Sequence, residues 1–165
     1  MPVQRPTAVT PRSSDSSGLV PERSQLPGYV VNWAARLFGR AFTRRLATVG
    51  ASVGHWPILL ALLEHDGLTQ AELVRRLDLE QPTVANTLQR MERDGLIWRA
   101  PHPTDRRRAH LHLTNRARAL APQLIAMAAE VNHAAFAGLT ASETQTLLDL
   151  LHRVIDNLRA DTTGD

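Results

Sequence analysis

The sequence predicts a mainly α-helical fold that carries one small β-hairpin. Apolar residues recur at intervals of three and four along most of the 165-residue chain, as they do on one face of a helix. Two short segments near the middle are typical of β-strands, and the second of them alternates with period two. A hydrophobic content of 43% with few aromatic residues supports a core of Leu, Ala, Val and Ile.

The N-terminal part combines a polar arm with a strongly apolar helix. Residues 1–25 are rich in Pro, Ser, Thr and Arg and have no hydrophobic period, so we expect a disordered arm. The segment 29–47 carries two adjacent apolar stripes, which predict a helix buried against its own domain and also against a partner. The stripes are Val30, Trp33, Leu37 and Ala41, and Val31, Ala34, Phe38 and Phe42.

A second helix is predicted at 55–64, and two short helices joined by a tight turn follow it. Thr69 and Glu72 have the spacing of a capping box, which opens the first helix of the pair. Pro82 suits the first turn of the other helix, which ends before Gly95. The pair has the lengths and the turn of a helix-turn-helix, with a polar face suited to base edges and phosphates. Taken alone, it fits an ordinary antiparallel helix pair equally well.

A β-hairpin is predicted directly after this pair. The segment 95–99 forms its first strand, and 109–113 forms the second. Between them stand three consecutive arginines, Arg106, Arg107 and Arg108. Packed like charges destabilise a fold unless a polyanion neutralises them. A helix-turn-helix followed by an arginine-tipped hairpin, or wing, therefore predicts a surface that binds nucleic acid.

The charge distribution agrees with this prediction. All 19 basic residues are Arg, so the sequence pI of 10.8 overstates a net charge of only +3. Residues 69–118 carry ten Arg against six acidic residues, whereas 119–165 carry two Arg against six. A basic middle beside an acidic C-terminal part suits a nucleic-acid footprint, although charge alone is also explained by an unevenly charged solvated surface.

Two further helices are predicted after the wing. Thr114 caps a long Ala-rich helix that runs to about Ala137, and Thr140 with Glu143 forms a second capping box. The last helix is more apolar than a small DNA-reading core requires, which predicts a partner chain. Its apolar face carries Leu147, Leu150, Leu151, Val154 and Leu158, widened by Leu148 and Ile155. We expect a helical dimerisation region at 26–52 and 115–161 and a DNA-binding lobe at 53–114.

Composition and motifs argue against other classes of protein. The chain has no cysteine, which excludes disulfides and thiolate chemistry. No apolar run has signal-peptide or membrane-spanning length, so we expect a soluble cytoplasmic protein without a membrane partner. The sequence has no HExxH motif, no GxSxG motif, no phosphate-binding glycine loop and no acid pair at catalytic spacing. We therefore predict no enzyme activity, no cofactor and no metal.

Two alternative functions stay open at this point. His110 and His112 lie on one face of a predicted strand with His102 nearby, so the chain could be a metal-responsive regulator or metal-binding protein. Two histidines on a strand are more often a solvated or DNA-facing edge. The second alternative is a helical dimeric adaptor that does not bind DNA, against which the arginine wing argues.

The segment 68–99, followed by DRRRAHLHLT at 105–114, resembles the MarR family of bacterial regulators. The stretch most specific to the family is 83–99. Its residues in register with the family pattern are Leu88, Met91, Gly95, Leu96 and Arg99. The resemblance implies six helices with a small wing, that is, a winged helix-turn-helix whose flanking helices form a homodimer on double-stranded DNA. It assigns to the recognition helix Gln81, Pro82, Thr83, Asn86, Thr87 and Arg90. It makes Arg107 the wing arginine in the minor groove, oriented by Asp105.

The same resemblance implies regulation, most commonly repression, at a pseudo-palindromic operator. Many members release DNA when a small aromatic acid binds between their lobes. The candidates for such a pocket here are Trp33, Arg36, His55 and Trp56, although these residues also suit simple packing in a core or interface. Pro122, inside the fifth helix, departs from the family pattern, and we expect it to kink that helix.

Overall fold

The computed structural model describes residues 22–101 and 108–162. The chain divides between Leu37 and Phe38, inside the first long helix, into two compact units. A short 3-10 helix, Arg23–Gln25, precedes that helix, where the Gln25 amide donates to the Glu22 carbonyl at 2.8 Å. Regular structure thus begins slightly before the predicted end of the arm, and residues 1–21 lie outside the described part.

Six α-helices and three short strands follow one another in the described residues. They are α1 Pro27–Leu46, α2 Trp56–Glu64, β1 Leu68–Thr69, α3 Gln70–Leu77, α4 Gln81–Arg93, β2 Ile97–Pro101, β3 Ala109–Leu113, α5 Asn115–Ala135 and α6 Ala141–Thr162. The predicted helices and the two wing strands are confirmed to within about two residues at their ends. β1 was not predicted, because two residues are too few to show a hydrophobic period.

The three strands form one antiparallel sheet in the order β1-β3-β2. In β3, Leu111 pairs with Leu68 of β1 on one side and with Arg99 of β2 on the other. Thr69 ends β1 and is also the N-cap residue of α3. The sheet therefore fixes the base of the wing directly to the start of the helix-turn-helix.

A single apolar core supports the second unit. Apolar side chains of α4 point into it, since Val84, Leu88 and Met91 are fully buried. Burying one side chain of this size stabilises a fold by roughly 1.5–3 kcal/mol. The opposite face of α4 is left towards solvent. The other largest fully buried side chains are Leu46, Ile58, Leu59, Leu62, Leu73 and Leu111.

The predicted helix caps are present. Thr69 and Glu72 form a complete capping box, and Thr140 and Glu143 make the same set of hydrogen bonds before α6. Thr114 accepts a hydrogen bond from the Ala117 amide at the start of α5. α5 continues through Pro122 as one helix, and the kink there stays a prediction.

Large apolar side chains stay exposed on both units. In α1 these include Val30, Val31 and Trp33, which are between 41% and 47% exposed. α6 has no buried residue over its described length. Its exposed apolar side chains are Leu147, Leu148, Leu150, Val154, Ile155 and Leu158. Helices of this kind need another surface to cover them.

The described helices fall short of a membrane span in length or in hydropathy. No single one of them is long and apolar enough to cross a bilayer. Residues 27–49 and 53–64 meet the criterion only when taken together as a bent pair.

Candidate nucleic-acid interface

The outer face of α4 is the most regular polar surface of the second unit. Gln81, Pro82, Thr83, Asn86 and Arg90 are all exposed, and they stand opposite the buried apolar face of the same helix. Thr87 is different, because it is only partly exposed and its hydroxyl donates to the Thr83 carbonyl at 2.8 Å. Five of the six predicted recognition residues thus have side chains free to reach a ligand, and Thr87 has its hydroxyl proton engaged within the helix.

The exposed face extends towards the C-terminal end of α4. Asn86 and Arg90 line a shallow surface groove together with Gln89 and Arg93. Gln89 and Arg93 are not among the predicted site residues. Their spacing could have identified them, because Gln89 is three residues after Asn86 and Arg93 is three residues after Arg90, and such residues share a helix face.

A cleft of about 500 Å³ lies between α3, the first turn of α4 and the base of the wing. Its lining includes three exposed arginines, namely Arg75 of α3, Arg99 of β2 and Arg108, which directly precedes β3. The remaining lining residues are Thr69, Gln70, Ala71, Val74, Gln81 and Ala109. No sequence motif predicts this cluster, because the three arginines come together only when the sheet has folded.

Two carboxylates lie close to the arginines of the cleft. Glu92 of α4 accepts a hydrogen bond from Arg99 at 3.0 Å. Glu72 is held by the Thr69 hydroxyl and amide, both at 2.7 Å, and these bonds lower the pKa of the Glu72 carboxyl. Arg75 and Arg108 lower that pKa further. Glu72 is therefore a fixed anion beside both arginines.

The base of the wing is held by Asp66, in the turn between α2 and β1. Its carboxylate accepts hydrogen bonds from the Leu113 amide at 3.1 Å and from His112 Nδ1 at 2.9 Å, and it pairs with Arg118 at 2.9 Å. Burial alone would raise the pKa of Asp66, but these three partners hold it below its ordinary value. Asp66 thus connects the wing to the first turn of α5.

The two described wing histidines have structural partners. His110 donates from Nδ1 to the Gly67 carbonyl at 2.7 Å, and His112 stacks on the Trp98 ring at 4.7 Å. Gly67 has φ +81°, and a Cβ there would lie 3.1 Å from His112. No group of three potential metal ligands occurs in the described residues, and His102 lies outside them.

Most of the predicted wing tip lies outside the described residues. Asp105, Arg106 and Arg107 belong to the segment 102–107, whereas Arg108 is described and lines the cleft beside α3. The roles assigned to the first three residues stay predictions.

The residues predicted to hold an aromatic ligand belong to different units. In the first unit, Arg36 lies over the Tyr29 ring at 5.9 Å and bonds Asn32, and Trp33 packs against the same ring. In the second unit, Trp56 makes an edge contact with Phe42 at 5.1 Å.

Burial lowers the pKa of the His55 imidazole. The negative charge of Asp94 raises this pKa, and the positive charges of Arg90 and Arg93 lower it. His55 Nδ1 is buried without a hydrogen-bond partner among the described residues. His55 and Trp56 line a cavity of about 10 Å³, which is the size of one water molecule. This cavity does not accommodate an aromatic acid, and the ligand assignment stays a prediction.

A helix-turn-helix followed by an antiparallel hairpin at its base defines a winged helix-turn-helix protein. A family model described as "MarR family" matches residues 49–108. The HTH-type transcriptional regulator TtmR of Methylorubrum extorquens is 33% identical over 132 residues, which cover 80% of this chain and 67% of TtmR. The chain belongs to the MarR family of transcriptional regulators, as the resemblance indicated.

Two further proteins are informative neighbours. The HTH-type transcriptional repressor NicR of Pseudomonas putida is 31% identical over 99 residues, 60% of this chain and 63% of NicR. The chain thus spans somewhat less than two thirds of NicR. The structure of Bordetella bronchiseptica BpsR, whose DNA binding is regulated by 6-hydroxynicotinic acid, has a TM-score of 0.75 at 22% identity and covers 81% of this chain and 95% of BpsR.

Proposed function

We propose that this protein is a repressor that binds double-stranded DNA as a homodimer and is released by a small aromatic acid. The observation that carries the proposal is the two-sided character of α4. Its apolar side is completely buried, and its polar side exposes Gln81, Thr83, Asn86 and Arg90 to solvent. These side chains can make hydrogen bonds to base edges and phosphates in a major groove.

The wing supplies the second DNA contact in this proposal. The sheet places Arg108 beside α3, and the chain continues from there to Arg107, Arg106 and Asp105. Arginines at the tip of a wing suit a narrow, A·T-rich minor groove, where the negative potential is strongest. Arg107 would enter the groove and Asp105 would orient it.

The exposed apolar side chains of α6 and of α1 support the homodimer. A row of half-exposed leucines on a long helix is stable in water when a partner covers it. Two copies related by a twofold axis would read two half-sites about one helical turn apart, hence a pseudo-palindrome.

Repression and release by an aromatic acid are carried over from relatives. NicR is named as a repressor, and BpsR is regulated by 6-hydroxynicotinic acid. We extend both properties to this chain, with Trp33, Arg36, His55 and Trp56 as the candidate ligand contacts. A ligand would release DNA by favouring a lobe spacing that does not match both half-sites.

The proposal is tested by selecting bound duplexes from a random pool with the full chain, with and without candidate aromatic acids. We expect an enriched inverted repeat, and fewer bound duplexes when an effective acid is present. Enrichment of no sequence, together with no affinity for random duplex, would leave only a helical adaptor.

A further inference from the structure

The cleft between α3, α4 and the wing has the chemistry of an anion site. Arg75 of α3, Arg99 of β2 and Arg108, just before β3, all line it, and the described lining residues include no carboxylate. Gln70 and Gln81 add polar side chains to its lining. Guanidinium groups present several N–H donors in a fork that matches the oxygens of a phosphate.

The cleft also adjoins the first turn of α4. Gln81, the first residue of that helix, lines the cleft and belongs to the predicted recognition face. An anion in the cleft would therefore lie next to a ligand that is bound on the exposed face of α4. A DNA backbone next to the major groove meets this condition, because phosphates flank the base edges that a recognition helix contacts.

We propose that the cleft holds a phosphate of the DNA backbone, with Arg75, Arg99 and Arg108 as its cationic contacts. This proposal depends on the duplex binding proposed above. It adds Arg75 and Arg99 to the interface and makes the carboxylates of Glu72 and Glu92 its competitors. In the free protein Glu92 holds Arg99 at 3.0 Å. When DNA binds, the phosphate replaces Glu92 as the partner of the Arg99 guanidinium.

The first test replaces two of the three cleft arginines, Arg75 and Arg99, one at a time. The full chain carrying Arg75→Gln or Arg99→Gln is titrated with its selected duplex over a series of salt concentrations. Each change is expected to weaken binding about equally on all sequences, and to reduce the slope of log affinity against log salt by about one.

The control is Arg76→Gln, on the same helix and with the same loss of charge. Arg76 lines a different groove with Trp56 and Glu64, away from the cleft. Its salt slope is expected to stay at the wild-type value. Equal slopes for the wild type, Arg75→Gln and Arg99→Gln would overturn the proposal.

The second test uses variants that are expected to strengthen duplex binding instead of weakening it. Glu92→Gln and Glu72→Gln remove the competing anions, so both are expected to strengthen duplex binding several-fold at fixed salt. Glutamine also serves at this position of a capping box, so Glu72→Gln keeps the start of α3 intact. Unchanged or weaker binding by both variants would contradict the proposed competition.

A third experiment distinguishes a phosphate of the DNA backbone from a free anion as the ligand of the cleft. Inorganic phosphate is titrated into the wild type and Arg75→Gln and followed by NMR. Phosphate binding that depends on Arg75, together with unchanged duplex slopes, would assign the cleft to a free anion and overturn the backbone proposal. A wild type that binds no duplex would instead refute the proposed function, so the two failures are distinguishable.

Discussion

In the proposed complex with DNA, Asn86 is the residue of α4 that we expect to read a base. It lies at the middle of the exposed face of α4, and Gln89 and Arg90 line the same groove beside it. An asparagine amide can bond two edge atoms of adenine at once, which discriminates that base by about 1–3 kcal/mol. Backbone contacts, in contrast, carry no sequence information directly.

We therefore expect Asn86→Ala to blur sequence preference while the affinity for random duplex changes little. The measurement is a selection profile compared with the wild type, with Asn132→Ala, exposed on α5, as the matched control. A profile identical to the wild type would place Asn86 outside the base-reading surface.

His55 is a buried titratable group at the start of α2. Burial lowers its pKa below the ordinary value of 6.5, although Asp94 lies 4.0 Å away. The unfolded chain takes up a proton near that ordinary value, whereas the folded chain does so only at lower pH. Between these two values the unfolded state binds more protons, so stability falls as pH falls.

We accordingly expect the wild type to lose stability as the pH falls through the ordinary histidine value of 6.5, and His55→Gln to lose less. Urea unfolding at a series of pH values measures this difference, with His133→Gln, exposed on α5, as the control. The same pH dependence in wild type and His55→Gln would show that His55 does not cause the loss.

The residues of the site were predictable to different degrees. Thr83, Asn86 and Arg90 could be assigned to the exposed face of α4 because one helix period relates them to the buried apolar residues, whereas Pro82 is a site candidate only through the family resemblance. Arg75 and Arg99 could not, since their proximity depends on how β1 and β2 both pair with β3. A charge count marks the region as basic but does not show which arginines converge.

Among the elements, the start of α3 is the junction between the helix-turn-helix and the wing. Thr69 is buried, pairs with His110 in the sheet and caps α3 through Glu72. Losing an N-cap hydroxyl destabilises a helix by about 1 kcal/mol. The loss here also leaves the Glu72 amide without its partner.

Thr69→Ala is therefore expected to lower the free energy of unfolding by about 1 kcal/mol, and Thr69→Ser to keep most of it. Urea denaturation followed by circular dichroism measures both variants. Equal losses for Ala and Ser would assign the effect to packing of the methyl group rather than to the cap.

The elements themselves were largely predictable, for local reasons. Thr69, Thr114 and Thr140 mark helix starts by their capping groups, and β3 shows its period over five residues. β1 could not be predicted, since it exists only because Leu68 and Thr69 pair with β3. Such pairing is a tertiary effect that no short window of sequence contains.

On the scale of the whole molecule, the exposed apolar face of α6 predicts self-association. Leu150 and Leu158 are 50% and 61% exposed. Charged residues at both positions would make a shared interface unfavourable without entering the core of the second unit.

We expect the wild type to sediment as a dimer and the double variant Leu150→Glu, Leu158→Glu as a folded monomer with weakened duplex binding. Gln145→Glu, on the same helix, serves as the control for added charge. A wild-type monomer, or a double variant that stays dimeric, would contradict the proposed interface.

The decisive experiment for the proposed function is to measure the binding of the full chain to duplex DNA in dilute buffer and again at rising salt concentrations. We expect measurable affinity at low salt and a steep linear decrease of log affinity with log salt, because arginines of the wing and the cleft replace counterions on phosphates. No affinity for any duplex at low salt would contradict the proposed function.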